Sequence, residues 1–188
     1  AEATGCVDQV WDDIPCLIEC EVGAGTPIVP GLDEDVSGVD FNLAPEGVIG
    51  GVAEAEGTFE PIPNLSVWLY DSTGIFLDFA STGADGRYRF SGLPQGTYYV
   101  RTGVNSFWAD ELYGGQYCPQ PDGTCDVTEG IPILLTAVGS VIENIDLTLT
   151  EGGRIAGTVR SAEGRTLISV VDAWSATGDR ISFSGSGE

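Results

Sequence analysis

A segment near the start of the chain recurs about one domain length later, and this internal repetition limits the fold more than any other feature of the sequence. Cys20-Glu-Val-Gly-Ala-Gly-Thr-Pro27-Ile28 matches Cys125-Asp-Val-Thr-Glu-Gly-Ile-Pro132-Ile133 at an offset of 105, and Val39-Asp40-Phe41-Asn42-Leu43 matches Ile145-Asp146-Leu147-Thr148-Leu149 at 106. The correspondence continues through Gly47-Val-Ile49-Gly-Gly51-Val52 with Gly153-Arg-Ile155-Ala-Gly157-Thr158, and through Tyr70-Asp-Ser-Thr73-Gly74 with Trp174-Ser-Ala-Thr177-Gly178 at 104. Small drifts of this kind are what loop insertions and deletions produce. The phase predicts that residues 1–45 are the C-terminal half of one unit, 46–150 a complete unit and 151–188 the N-terminal half of a further one. A unit of about 105 residues is the ordinary size of one β-sandwich domain.

Inside the complete unit, short runs rich in Val, Ile, Thr and aromatics alternate with Gly- and Pro-bearing turns, and no 11-residue window sustains a helical period. The one helix-like stretch, Phe107 to Tyr113, is too short to count as evidence for a helix. Strands are expected over Val48–Ala53, Leu65–Asp71, Ile75–Thr82, Gly86–Ser91, Gly96–Val104, Ile131–Ala137 and Val141–Thr150. Ser72-Thr73-Gly74 and Ala84-Asp85-Gly86 supply glycine where a hairpin needs positive φ, and Leu93-Pro94-Gln95-Gly96 has proline presetting a turn. In Arg87-Tyr88-Arg89-Phe90 the period of two sends Tyr88 and Phe90 to the core and both arginines to water. Val67 and Leu69 point opposite to Trp68 and Tyr70, so one of these pairs faces outward unless something packs on it. Seven such strands without helices bury their apolar faces as two facing sheets. The expected fold is all-β: tandem seven-stranded antiparallel β-sandwich repeats, one complete and two partial.

The series Leu65-Ser-Val-Trp-Leu-Tyr-Asp71, Asp85-Gly86-Arg-Tyr88-Arg-Phe90 and Gly92-Leu93-Pro94-Gln-Gly96-Thr-Tyr98-Tyr99-Val100, together with Gly47 to Val52, resembles the carboxypeptidase regulatory-like domain. That family and the collagen-adhesin B-type repeats share a prealbumin-like, Ig-like seven-strand sandwich, found in tandem in large secreted and surface proteins of bacteria. The resemblance implies such a sandwich and an extracellular or cell-surface setting. It does not choose among spacers, stalks, adhesins and accessory domains of hydrolases, all of which use the module. Adhesin-type relatives often carry an intramolecular Lys-to-Asn isopeptide bond, and this chain has no lysine to form one.

The chain also has no His and no Met. Without His and Lys there is no Ser-His-Asp triad, no Schiff base and no phosphate-binding lysine, and none of the 29 acidic residues is singled out as a catalytic pair. No enzymatic activity is expected. A formal charge of −22 repels nucleic acid and anionic membrane surfaces, and no apolar run is long enough to insert into a bilayer. Lacking an initiator Met, the chain reads as a processed product or an excerpt of a longer protein.

Five cysteines stand at 6, 16, 20, 118 and 125. Cys16 with Cys20 and Cys118 with Cys125 occupy equivalent places, and a short-loop disulfide within each pair is expected. A zinc site is the rival, but each pair supplies two ligands of the four a structural site takes. Cys6, Cys16 and Cys20 admit three pairings, and Cys6 is the odd cysteine, free or bonded outside the chain. Asp33, Glu34, Asp35 and Asp40 are the densest carboxylates and the candidate calcium ligands, although the spacing lacks the regular Asp-x-Asp-x-Asp-Gly form and the counterpart Thr136-Ala-Val-Gly139 is uncharged. A solvated acidic loop is the simpler reading. Trp68, Trp108 and Tyr113 are the aromatics to watch, as core or inter-unit contacts or as a platform for a sugar ring.

Two readings of function follow. In the first, the chain is a structural or adhesive segment of a large secreted or surface repeat protein. Its partners are neighbouring repeats or other copies of itself, and a fibre forms by strand complementation between incomplete end repeats. In the second, it is a carbohydrate-binding accessory module of a secreted hydrolase. Leu149-Thr-Glu-Gly152 leaves almost no linker between units, which favours a stiff rod. Arg154 and Arg160 are candidates to meet acids of a neighbouring unit.

Overall fold

A computed structural model describes residues 1–16, 20–103, 107–118, 125–153 and 155–174, and the backbone of 180–185. In chain order its elements are β1 (Gln9–Val10), β2 (Ile14–Pro15), a 3-10 turn (Val22–Ala24), β3 (Gly47–Ala55), β4 (Ser66–Tyr70), β5 (Phe76–Ser81), β6 (Arg87–Leu93) and β7 (Gly96–Thr102). After these come β8 (Glu111–Leu112), β9 (Gln116–Tyr117), a second 3-10 turn (Val127–Glu129), β10 (Ile133–Leu135), β11 (Val141–Ile142), β12 (Leu147–Leu149), β13 (Val170–Trp174) and β14 (Arg180–Gly185). The protein is an all-β sandwich. All seven strand segments expected within 46–150 are present, with ends shifted by one or two residues at most places. The end expected at Val104 falls outside the described residues, and Phe107 to Tyr113 contributes β8 rather than helix.

Two sheets form the sandwich. In one, β4 lies between β5 and β7, and the far edge of β7 takes β10 at Gly96–Tyr98 and β8 at Arg101. In the other, β3 pairs antiparallel with β6 on one edge and parallel with β11 and then β12 on the opposite edge. Val67, Leu69 and Val100 of the first sheet meet Ile49, Tyr88, Phe90, Leu147 and Leu149 of the second, all at most 4% exposed. Burying such side chains contributes about 1.5–3 kcal/mol each, and this is what joins the sheets.

The stretch 141–150, one strand by sequence, is interrupted at 143–146, and the interruption has a definite cause. Ile145 N–H donates to the Gly50 carbonyl, and the Asp146 carboxylate accepts from Val52 N–H at 2.9 Å, standing in for a backbone carbonyl. The Ile145 carbonyl runs so close to Gly51 that any Cβ there would overlap it, and it also accepts from the buried Tyr88 hydroxyl. Glycine at 51 is therefore what lets the chain entering β12 lie against β3.

Candidate interaction surface

Trp68 and Tyr70 face away from the sandwich core, and they are covered. Leu112 of β8, the disulfide-bonded Cys118 and Cys125, and Val127 lie over them, forming with Tyr70 a second, smaller core against which Trp68 and Tyr99 pack. The Cys118–Cys125 disulfide sits in this core, with Cys118 fully buried. Arg101 lies there too, 3% exposed, its guanidinium 4.9 Å from the centre of the Trp68 ring. Nε donates to the Thr102 carbonyl, while Nη2 has no hydrogen-bond partner among the described residues. Burial pushes the Tyr70 hydroxyl up from its ordinary range, and the neighbouring Arg101 charge pulls the other way.

The N-terminal region repeats the geometry of this covering segment. β1 and β2 pair Gln9 with Pro15 and Val10 with Ile14; β8 and β9 pair Glu111 with Tyr117 and Leu112 with Gln116, each partner 102 positions on. The turns agree: Asp12 and Asp13 take positive φ where Gly114 and Gly115 do. Cys16 and Cys20 are disulfide-bonded beyond β2, as Cys118 and Cys125 are beyond β9, and Cys16 N–H donates to the Asp8 carbonyl as Cys118 N–H does to Asp110. Cys6 is a free, half-buried thiol.

At two places a loop is stitched by backbone hydrogen bonds to a stretch of chain some 40 residues further on. Ala109 N–H donates to the Thr150 carbonyl and Gly152 N–H to Phe107, around a bridge between Trp108 and Glu151. In the N-terminal region Val7 N–H donates to Ala44 and Glu46 N–H to Gly5, around a bridge between Cys6 and Pro45. Beside this second clamp a groove of about 290 Å³ separates Val7, Gln9, Pro15 and Pro45 from Pro94 and Val138 of the sandwich. Gln9 donates to the Asn42 carbonyl at 3.2 Å, and its own amide oxygen has no partner among the described residues. Glu111 holds the matching position in the sandwich. Burial raises its carboxyl to about 7, against a hydrogen bond from the Thr148 backbone and with the charge of Glu56 adding to the rise.

The aromatics singled out by sequence do not come together. Trp68 lies in the smaller core beside Arg101 and edge-on to Phe76, whereas Trp108 and Tyr113 pack against the main core, Trp108 edge-on to Phe107. Nothing in this arrangement supports a sugar platform. Asp33, Glu34, Asp35 and Asp40 are exposed, and Glu34 turns its carboxylate onto Gly31 N–H of its own loop. Among the described residues no three His, Cys, Asp or Glu side chains converge as a metal site. Arg160 donates to the Gly164 carbonyl of its own turn, and Arg154 lies outside the described residues. The covering segment with its buried arginine was missed by sequence reasoning; the only signal for it was the Gly114-Gly115 turn between two pairs of residues too short to show a period.

No protein-family model and no curated protein matches the chain. Among solved structures it is similar to the Bacillus anthracis TIE protein, at 13% identity and a TM-score of 0.42 over 76% of this chain and 25% of that one. The group B streptococcus pilus 2b backbone protein aligns at 16% identity and a TM-score of 0.36, over 56% of this chain and 41% of that one. The major pilin subunit of Bacillus cereus aligns at 16% and 0.34, over 56% and 28%. The chain thus spans less than half the length of each of these proteins, and likenesses this remote carry nothing about what it does. No helix among the described residues is long and apolar enough to cross a membrane.

Proposed function

We propose that the chain is a non-catalytic structural segment of an extracellular protein built from sandwich units, whose work is reach and assembly with neighbouring units or other copies. Residues 1–45, 46–150 and 151–188 are, in this reading, parts of three successive units. The observation that carries it is the clamp found twice at equivalent places, 5–7 with 44–46 and 107–109 with 150–152. A linker hydrogen-bonded to its own unit cannot act as a free hinge, so consecutive units would hold a defined angle, as stiff repeat arrays require. Two short-loop disulfides fit an oxidising, extracellular setting. A chain without His or Lys fits a role that needs no acid–base or nucleophilic chemistry.

Backbone 15N relaxation of the dilute protein tests the pinned junction. Residues 1–16 and 46–103 are expected to tumble with one correlation time. Two independent correlation times would mean a hinge at 44–46, and the rod reading would fail.

A further inference from the structure

The chain has four asparagines, Asn42, Asn64, Asn105 and Asn144, and Asn64 alone has a hydroxyl two residues on, in Asn64-Leu65-Ser66. At the other three the second residue on is Ala44, Phe107 and Asp146. Asn-x-Ser with a residue other than proline between is the acceptor motif for N-linked glycans in exported proteins. Whether such a triplet can carry a glycan depends on what the fold does with its two polar side chains.

Pro63 and Asn64 make the turn that leads into β4. Asn64 takes the left-handed conformation, φ +57°, which asparagine tolerates. The backbone there is pinned: Asn64 N–H donates to the Thr82 carbonyl at 3.0 Å and Leu65 N–H to the Thr82 hydroxyl at 2.8 Å. Leu65, 2% exposed, is anchored in the main core, and Asn64 beside it is turned to solvent. Among the described residues the Asn64 side-chain amide makes no hydrogen bond, and neither does the half-buried Ser66 hydroxyl. The strand pattern does not ask for these residues either. β13 and β14 repeat the register of β4 and β5 at an offset of 104, Val170 standing opposite Gly185 as Ser66 stands opposite Ser81, and the triplet equivalent to Asn64-Leu65-Ser66 is Ile168-Ser169-Val170. Both polar side chains are thus additional to the fold and unused by it.

We infer that Asn64 is the acceptor of an N-linked glycan. The donor is an oligosaccharide carried on a lipid phosphate or diphosphate, and the extended chain meets it at a membrane transferase during export. The Asn64 Nδ2 forms a bond to the anomeric carbon of the sugar, and the bond from that carbon to the phosphate oxygen breaks. The lipid phosphate leaves with the electron pair, and the amide proton passes to a base of the transferase. The Ser66 hydroxyl is what the transferase reads beside the amide. The folded protein then has to leave room for the product, and it does: a sugar on this turn displaces no core side chain and breaks no hydrogen bond among the described residues. The inference shares with the proposed function only the extracellular setting.

Mass spectrometry of the protein isolated as its own cells export it tests the assignment. The peptide containing Asn64 is expected to be heavier by whole sugar residues. In the same cells Ser66→Ala and Asn64→Asp are expected to lose the added mass entirely, and Ser66→Thr to keep it. All three variants are expected to be exported at the parent's yield, which separates loss of the glycan from loss of the fold. An Asn64 peptide at its unmodified mass in the exported parent, or sugar that survives Ser66→Ala, would overturn the acceptor assignment. The two readings fail apart: an unmodified Asn64 does not touch the pinned junction, which relaxation reports, and a hinge at 44–46 leaves the mass of the Asn64 peptide as it is.

Discussion

Glu111 and Gln9 stand at the same point of successive hairpins, one ionisable and one not, and the difference sets how the sandwich responds to pH. Burial holds the Glu111 carboxyl at about 7 in the folded chain against an ordinary 4.5. Between those values the folded chain keeps a proton that the unfolded chain has released. Stability contributed by the neutral carboxyl is therefore fully present below about 4.5 and is lost as pH rises through 7. Glu111→Gln removes the titration and copies what the N-terminal hairpin already has. At pH 8 the variant is expected to be more stable by about 1 kcal/mol, the shift being discounted for a half-exposed group, and at pH 4 to match the parent. Urea unfolding at the two pH values checks this, and equal differences at both would refute it. Arg101 illustrates the limit of residue-level reading: in Tyr99-Val100-Arg101-Thr102 the alternation puts it opposite Val100, hence outward, and outward here means buried against Trp68 beneath a loop.

At the scale of elements, the strands with clear alternation were legible, β4 and β6 above all, because a buried face beside an exposed one imposes a period of two. The two-residue strands β8 and β9 were not, since two residues hold no period; their pairing follows from the Gly114-Gly115 turn and from covering Trp68 and Tyr70. The parallel placement of β11 and β12 along β3 was also beyond reach, because parallel and antiparallel partners present the same alternation. The Cys118–Cys125 bond ties the covering segment together where Cys118 is fully enclosed. Replacing both cysteines by serine is expected to cost about 2–3 kcal/mol, from the freed loop in the unfolded chain and from a hydroxyl left in an apolar site. The Cys16–Cys20 pair closes a shorter loop with Cys20 exposed, so its double-serine variant should lose less. Equal unfolding midpoints for the parent and the 118/125 variant would contradict the role of the smaller core.

For the whole molecule, charge is the dominant feature. With 29 acidic and 7 basic side chains, the compact state carries self-repulsion that the expanded chain relieves. Among the described residues the ion pairs Arg87–Asp85, Arg89–Glu143 and Arg165–Glu163 are all solvent-exposed and offset little of it. Raising NaCl from about 0.02 to 0.5 M shortens the screening length from about 20 to 4 Å and is expected to raise the unfolding temperature by a few degrees. A midpoint that stays fixed or falls would show that repulsion does not limit stability.

The sequence by itself determined that the chain is all-β, that its pattern recurs at about 105 residues and that it has neither His nor Lys, because period, turn residues and side-chain inventory are local properties. The tertiary structure decided which copy of the pattern becomes strand. Ile133–Leu135 and Leu147–Leu149 are strands because β7 and β3 lie beside them, whereas their counterparts at 28–30 and 41–43 have no strand beside them among the described residues. A strand's hydrogen bonds belong to two segments at once, and whether the second segment is in place is not written in the first.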